Sequence, residues 1–168
     1  SIAKAIAFVR SETRDRLDLL VNNAGVGVLG PVELHTDEQF LRELSVNYLG
    51  PVRLCHGLLP ALRQARGRII SISSIAGRVA VPYYPTYNGS KFAIEGFSES
   101  LHYELKPFGI QVGLIEPGGF RTEFLNAVDL EFSKFESTPK EVYDLYRVRL
   151  DRFKSFLKSK TALGGDPD

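Results

Sequence analysis

The sequence predicts an α/β protein with a parallel sheet, because short apolar segments alternate with segments of helical periodicity along its 168 residues. Three apolar segments, 17–21, 68–73 and 110–115, each end in a polar or glycine-containing loop, as strands buried on both faces do. We therefore expect a doubly wound parallel sheet with right-handed crossovers and helices on both faces. The length fits a single domain.

Helical segments precede, separate and follow these strands. Residues 1–14 and 44–62 carry apolar side chains at helical spacing, and Thr36 with Gln39 forms a capping-box pattern that predicts a helix start. A further helix is expected to run from the 77–85 loop to about Lys106, where Pro107 follows. A charged helix near the carboxyl end carries one apolar stripe, which predicts a packing face. The stripe consists of Tyr143, Tyr146, Leu150, Phe153 and Leu157.

Composition excludes several classes of function. The formal net charge of +1 gives no electrostatic footprint for nucleic acid or an anionic membrane surface. No apolar run is long enough to span a bilayer, and Lys4 interrupts the first apolar run, unlike a secretory signal. The single Cys55 cannot form an internal disulfide, and its neighbour His56 points to another helix face, so we expect no metal site and a cytoplasmic location.

Tyr87 and Lys91 form the strongest chemical pattern in the chain. Four residues apart near a helix start, they lie on one helix face, where an ammonium group sits beside a phenol. A nearby positive charge favours phenolate and lowers the pKa of a tyrosine, so this pair can move a proton. A lone Tyr-x-x-x-Lys is a weak signal, because exposed helices produce it by chance.

Other polar residues and glycines follow the predicted strands and meet at the carboxyl edge of the sheet, where ligands bind in such folds. Ser74 ends the second strand, and its hydroxyl could orient a substrate oxygen or cap the strand. Asn47 lies within a helix, where a solvated or locally back-bonded side chain is the plainer interpretation. The remaining members are Asn22, Ala24 and Gly25 after the first strand, and Pro117, Gly118 and Thr122 after the third.

A glycine pattern in this region does not have the context of a phosphate loop. Gly25, Gly27 and Gly30 follow a strand with G-x-G-x-x-G spacing. That fingerprint must open a helix, whereas Pro31 follows directly and the helix signal waits until Thr36. We predict a loop here.

Together these motifs resemble the short-chain dehydrogenase/reductase family, particularly its steroid and retinol dehydrogenase-like members. The resemblance runs from about Leu17 to Thr122 and rests on five motifs in the family's order and spacing. They are Asn-Asn-Ala-Gly at 22–25, the asparagine of 46–50, Ile-Ser-Ser at 72–74, Tyr87-x-x-x-Lys91 and Pro-Gly at 117–118.

The resemblance implies a Rossmann-like fold and an NAD(P)-dependent oxidoreductase that interconverts an alcohol and a ketone or aldehyde. It implies that Tyr87 is the general acid/base, that Ser74 orients the substrate oxygen and that Asn47 holds a water in the proton relay. Lys91 would bind the nicotinamide ribose and lower the tyrosine pKa. Residues expected to contact NAD or NADP are Asn22, Ala24, Gly25, Tyr87, Lys91, Pro117, Gly118, Phe120 and Thr122.

The resemblance also implies that the chain is a partial domain. Residues 1–122 would be the catalytic core segment, and 123–168 a substrate lid and helical segment, without the family's phosphate loop or the strands that select NAD or NADP. We therefore expect residues 1–168 alone to bind the cofactor weakly or not at all. A non-catalytic segment that packs against a partner is the alternative function, and a serine hydrolase is a distant third because no G-x-S-x-G is present.

The expected partner is a small, apolar alcohol or carbonyl substrate. Phenylalanine-rich residues 120–135 occupy the position of the family's substrate lid, although an apolar lid could equally be ordinary packing. The family also implies a homo-oligomer that packs through the helices of 44–62 and 92–105, although those apolar faces could be satisfied within one subunit.

Overall fold

A computed structural model of the chain describes residues 1–118 and 139–161, with side chains through residue 156. The described elements confirm the predicted alternation of helices and strands. In chain order they are α1 (Ile2–Glu12), β1 (Leu19–Asn22), α2 (Asp37–Leu44), α3 (Gly50–Ala65), β2 (Arg68–Ile72), α4 (Pro85–Leu105), β3 (Gln111–Ile115) and α5 (Lys140–Thr161).

The three strands form a parallel sheet in the order β1-β2-β3. Leu20, Ile69 and Val112 are partners in this register and point to the same face of the sheet. They pack in one core with Leu62 of α3 and Leu101 of α4. This register aligns the carboxyl ends of all three strands at one edge.

The expectation that helices cover both faces of the sheet is wrong for the described residues. Leu19, Val21 and Ile115 point to the opposite face and are about half exposed, at 48%, 47% and 48%. Right-handed crossovers between strands laid down in one direction put every connecting helix on the same side. Side chains of α1, α3 and α4 accordingly share one core, and the order β1-β2-β3 forms one half of a doubly wound sheet.

The predicted helix over 44–62 is interrupted by a π-helical turn. A capping box at Thr36 and Gln39 starts α2 as predicted, and five residues of π-helix, Ser45–Leu49, then join α2 to α3. A π-turn inserts an extra residue and so rotates the preceding residues around the helix axis. Leu44 is consequently 36% exposed, whereas Cys55 and Leu58 are buried.

Helix α5 packs on the loops that surround the strand ends. Leu150 is buried beside Val28, Leu34 and Tyr84, and Phe153 packs against the same cluster. Tyr143 and Tyr146 join it, so the four members of the stripe whose side chains are described form the predicted packing face. The side chain of Leu157 lies outside the described residues. Over the described ranges, no helix has the length and apolar character needed to cross a bilayer.

Candidate active site

The carboxyl ends of β2 and β3 hold Ser74 beside Pro117. The amide of Ser73 donates to the carbonyl of Ile115 at 2.8 Å, and the amide of Ile75 donates to the carbonyl of Pro117 at 3.1 Å. These bonds extend the β2–β3 ladder past both strands. Ser74 therefore lies between two fixed neighbours at the sheet edge where the sequence predicted a site.

Tyr87, Ser74 and Lys91 come together at this edge. Tyr87 shares a side-chain hydrogen bond with Ser74, whose hydroxyl also accepts from the amide of Ala76 at 3.1 Å. Lys91 lies one helical turn beyond Tyr87 in α4, with its Nζ 5.6 Å from the centre of the tyrosine ring. The Nζ of Lys91 donates to the carbonyl of Ile72 at 2.8 Å, which anchors the ammonium to the end of β2.

Burial controls the pKa values of this pair. Desolvation raises the pKa of Tyr87 above its ordinary value of 10, the hydrogen bond with Ser74 acts in the opposite direction, and the Glu43 carboxylate raises it further. The sequence-based expectation of a lowered tyrosine pKa is therefore wrong in direction for this structure, because burial outweighs the stabilisation of phenolate. Desolvation also lowers the pKa of Lys91 to about 8, although the Glu95 carboxylate opposes this shift.

Asn47 is buried, and its side chain holds the loop that follows β1. Its Oδ1 accepts from the amide of Val26 at 2.9 Å, and its Nδ2 donates to the carbonyl of Val26 at 2.8 Å and to Ser90 Oγ at 3.0 Å. The interpretation of Asn47 as a solvated side chain is thus wrong. Both N–H groups of the amide are committed to these bonds, and Oδ1 uses one of its two acceptor positions.

The backbone of Asn47 has an unusual position in the helix. In a regular α-helix its carbonyl would accept from the amide of residue 51, which here is proline and has no N–H. Asn47 also lies inside the π-helical turn Ser45–Leu49. Both features disturb the regular hydrogen-bond ladder at this residue, and such turns are frequent at functional sites.

The predicted cofactor residues after β1 differ in accessibility. Asn22 is buried, and its Nδ2 donates to Ser71 Oγ at 3.2 Å and contacts Cys55 Sγ at 3.5 Å, so part of its amide holds the end of β1 to its neighbours. Ala24 and Gly25 are exposed. A Cβ on Gly25 would lie 3.7 Å from Asn47 Oδ1 and 3.9 Å from Lys91 Nζ, so the glycine backbone directly borders the lysine.

These residues fit a nicotinamide cofactor. One of the three N–H donors of Lys91 is used by Ile72, which leaves donors for the hydroxyl groups of a ribose. Gly25 and Gly118 both have exposed backbone, which allows close approach of a ligand. Among the described residues, none has an atom within 4 Å of where a Cβ of Gly118 would be. Phe120, Thr122 and the predicted lid over 120–135 lie outside the described residues.

The loop with G-x-G-x-x-G spacing is not a helix start. Gly25, Gly27 and Gly30 lie in an extended loop, and a short 3-10 turn, Val32–Leu34, comes next. The prediction of a loop is confirmed.

Three residues that the sequence reasoning missed support the site. The Oγ of Ser90 donates to the carbonyl of Tyr87 at 2.8 Å and accepts a hydrogen bond from Nδ2 of Asn47. Glu43 is fully buried and accepts from the amide of Val28 at 2.8 Å. Asn88 binds the backbone of Val81. Glu43 stands four residues before Asn47, so helical spacing could have pointed to it.

Arg78 ties the loop after Ser74 to its surroundings. Its guanidinium lies 2.9 Å from a carboxylate oxygen of Glu116, next to Pro117, and 3.2 Å and 3.3 Å from carboxylates of Glu95 and Glu99 in α4. One side chain thus links the ends of β2 and β3 with the helix that carries Tyr87. The arginine is half exposed, so we expect its contribution to be mainly geometric.

Comparisons with known proteins agree with this geometry. The short chain dehydrogenase family model matches residues 1–131. The chain is 46% identical over 125 residues to 3-ketodihydrosphingosine reductase from Bacteroides thetaiotaomicron, covering 74% of this chain and 46% of that protein. It is 50% identical over 113 residues to retinol dehydrogenase 5 from Mus musculus, covering 67% of this chain and 35% of the relative.

A solved structure shows the same fold. The crystal structure of NAD+-bound xylitol dehydrogenase superposes with a TM-score of 0.69 at 32% identity, covering 74% of this chain and 50% of the other. The chain thus spans about half or less of the length of each of these three proteins. With its parallel sheet, the strand-end constellation of Ser74, Tyr87 and Lys91, and a family match over most of its length, the chain belongs to the short chain dehydrogenase family.

Proposed function

We propose that the whole protein is an NAD- or NADP-dependent oxidoreductase that interconverts an apolar alcohol and its ketone or aldehyde. The observation that carries this proposal is the convergence of Ser74, Tyr87 and Lys91 at one edge of the sheet. Family membership supports the reaction class. The cofactor, when bound, supplies or accepts the hydride at the substrate carbon, and the residues of this chain handle the proton and the geometry.

Tyr87 is the general acid/base of this proposal. In reduction, its phenol donates a proton to the substrate oxygen as the carbon gains a hydride, and in oxidation the phenolate takes that proton back. The hydrogen bond between Ser74 and Tyr87 supports a common binding position for the substrate oxygen. Burial raises the pKa of Tyr87 and so keeps the phenol protonated at neutral pH, the form that reduction requires.

Lys91 and Asn47 complete the proton path. With a pKa of about 8, Lys91 is mainly an ammonium at neutral pH, and its remaining N–H groups hold ribose hydroxyls while its charge stabilises the phenolate as it forms. The backbone carbonyl of Asn47, which receives no N–H from Pro51, is our candidate for holding the relay water. Residues assigned to border the cofactor are Asn22, Ala24, Gly25, Pro117, Gly118, Phe120 and Thr122.

An apolar substrate is supported by the side chains around Tyr87. Tyr87 packs against a buried cluster that includes Val28, Leu29, Leu34 and Tyr84. A lipophilic group on the substrate would gain by leaving water for this surface, whereas the hydroxyls of a sugar would lose hydrogen bonds there. Two relatives are named for lipophilic molecules, retinol and 3-ketodihydrosphingosine. A panel of lipophilic and sugar-like alcohols given to the whole protein tests this part.

The test of the reaction is Tyr87→Phe in the whole protein. We expect turnover to fall by about 10²–10⁴-fold, the usual effect of removing a general acid/base. Binding of NADH or NADPH, followed by fluorescence titration, should stay within about twofold, because phenylalanine keeps the ring. Tyr103→Phe is the matched control, since Tyr103 is 75% exposed on the same helix. Unchanged turnover in Tyr87→Phe would remove the acid/base assignment.

A second candidate function is a non-catalytic module that packs against a partner. The observation that favours it is the apolar sheet face of Leu19, Val21 and Ile115, which no described helix covers. Wild-type protein that binds neither NADH nor NADPH and turns over no member of the panel would favour this candidate. Tight cofactor binding with turnover would eliminate it.

Assembly and location complete the proposal. Phe92, at 46% exposure, places aromatic surface on the outside of α4, which supports a homo-oligomer built through α3 and α4. Phe92→Glu should then reduce the solution mass measured by light scattering. The unpaired Cys55 supports a reducing, cytoplasm-like compartment, which cell fractionation tests.

A further inference from the structure

Asn88, the residue after Tyr87, fastens the loop that leads into the catalytic helix. Its Nδ2 donates to the carbonyl of Val81 at 2.8 Å, and its Oδ1 accepts from the amide of Val81 at 3.2 Å. Asn88 is 8% exposed, so both bonds are partly shielded from water. An amide side chain is suited to this position because it offers one donor group and one acceptor to the same peptide unit.

The loop held by Asn88 contains a strained residue. Tyr83 has φ of +63°, in the left-handed region that a bulky side chain rarely adopts. Such backbone persists only where the surrounding structure fixes it, and it clusters at functional sites. Here the amide of Gly30 donates to the carbonyl of Tyr83 at 2.7 Å, and Asn88 holds Val81 two residues earlier. The strained residue is thus fixed on both sides.

The shape of this loop decides which side chains stand next to the catalytic tyrosine. The ring of Tyr84 is 7% exposed, and its centre lies 5.6 Å from that of Tyr87. The ring of Tyr83 packs against Phe153 of α5 with centres 5.2 Å apart. A change of φ at Tyr83 would redirect both rings, because the chain direction on either side depends on that torsion.

We propose that Asn88 is a positioning residue for substrate specificity, which acts by holding Tyr83 left-handed so that Tyr84 forms a fixed apolar wall beside Tyr87. The proposal rests on the proposed oxidoreductase function and extends it to the origin of apolar selectivity. It separates two tasks within neighbouring residues of one helix. Tyr87 transfers the proton, and Asn88 shapes the space that the substrate fills.

The kinetic test uses Asn88→Ala in the whole protein with a lipophilic alcohol as substrate. Both bonds to Val81 are lost, and we expect KM to rise about tenfold while kcat stays within about threefold, since Tyr87, Ser74 and Lys91 keep their own anchors. Gly89→Ala is the matched control, because a Cβ at the next position meets no atom of the described residues within 4 Å. A fall in kcat at constant KM would overturn the proposal.

A second substitution asks whether Asn88 acts through Tyr83. In Tyr83→Gly the left-handed conformation carries no Cβ penalty, so the loop depends less on the hydrogen bonds from Asn88 to Val81. Adding Asn88→Ala to Tyr83→Gly should therefore raise KM by no more than about threefold, against tenfold in the wild-type background. An equal rise of KM in both backgrounds would show that Asn88 does not work through this strained residue.

An exchange measurement separates failure of this proposal from failure of the proposed function. Wild-type protein without turnover on any alcohol or carbonyl overturns the function and with it the specificity role. Hydrogen–deuterium exchange at the Gly30 amide then decides whether Asn88 holds the loop. Asn88→Ala should accelerate this exchange at least about tenfold, because the Tyr83 conformation is lost. Unchanged exchange at Gly30 would show that Asn88 does not hold Tyr83 in its left-handed conformation, whatever the kinetics show.

Discussion

Replacing Lys91 with methionine should change how the stability of the protein depends on pH. Methionine keeps an unbranched apolar stem of similar length and removes the buried ammonium. The pKa of Lys91 falls from its ordinary 10.5 to about 8 in the folded protein. Between pH 8 and pH 10.5, Lys91 is protonated in the unfolded chain but mostly neutral in the folded protein. The contribution of Lys91 to the unfolding free energy therefore rises with pH.

The size of the change in unfolding free energy follows from the pKa shift of Lys91. A difference of about 2.5 pKa units, at 1.36 kcal/mol per unit, gives a penalty of about 3 kcal/mol at pH 7. Most of it disappears by pH 10, because the unfolded lysine is by then losing its proton as well. We therefore expect the unfolding free energy of wild type, minus that of Lys91→Met, to rise by about 2–3 kcal/mol between pH 7 and pH 10.

Urea unfolding of both proteins at several pH values measures this difference, since titrating groups remote from position 91 contribute equally to wild type and variant. Lys106→Met is the matched control, because the side chain of Lys106 is exposed. A wild-type-minus-variant difference that stays constant within about 0.5 kcal/mol from pH 7 to pH 10 would refute the reasoning. It would mean that Lys91 is hydrated despite its 5% exposure.

Further variants probe the fold and the reaction. Gly67→Ala puts a Cβ 2.5 Å from the carbonyl oxygen of Leu17, and we expect urea unfolding to show a loss of about 2–4 kcal/mol in stability. A Cβ at Gly96 in α4 meets no described atom within 4 Å, so Gly96→Ala should raise the stability by about 0.5–1 kcal/mol. Thr36→Ala removes the cap of α2 and should cost about 1 kcal/mol, measured as a lower urea midpoint. Carbonyl reduction by the whole protein should fall as pH rises through about 8, where Lys91 loses its proton, and a flat pH–rate profile would contradict this.

Local chemistry explains which parts of the fold the sequence could predict. Thr36 and Gln39 start a helix through two hydrogen bonds three residues apart, and the structure contains both. Apolar segments likewise predict strands, because burial of such a segment depends little on its distant partners. Coverage of both sheet faces could not be inferred this way, since it depends on which side each crossover takes.

In the candidate site, too, the features set by local sequence could be predicted and those set by long-range packing could not. Spacing alone placed Tyr87 and Lys91 on one helix face, because the periodicity of a helix is fixed. The direction of the tyrosine pKa shift was wrong because it depends on how deeply the ring is buried, a property of the whole packing. The bonds of Asn47 to Val26 and Ser90 join segments 21 and 43 residues apart, which no local pattern reports.

The two backbone bonds that extend the β2–β3 ladder, from Ser73 to Ile115 and from Ile75 to Pro117, have an entropic consequence for binding. They immobilise the backbone on both sides of Ser74 when the protein folds, before any substrate arrives. The conformational entropy of that segment is thus lost once, in folding, and need not be lost again at each encounter. Preorganisation of the Ser74 hydroxyl is therefore a property of the sheet itself.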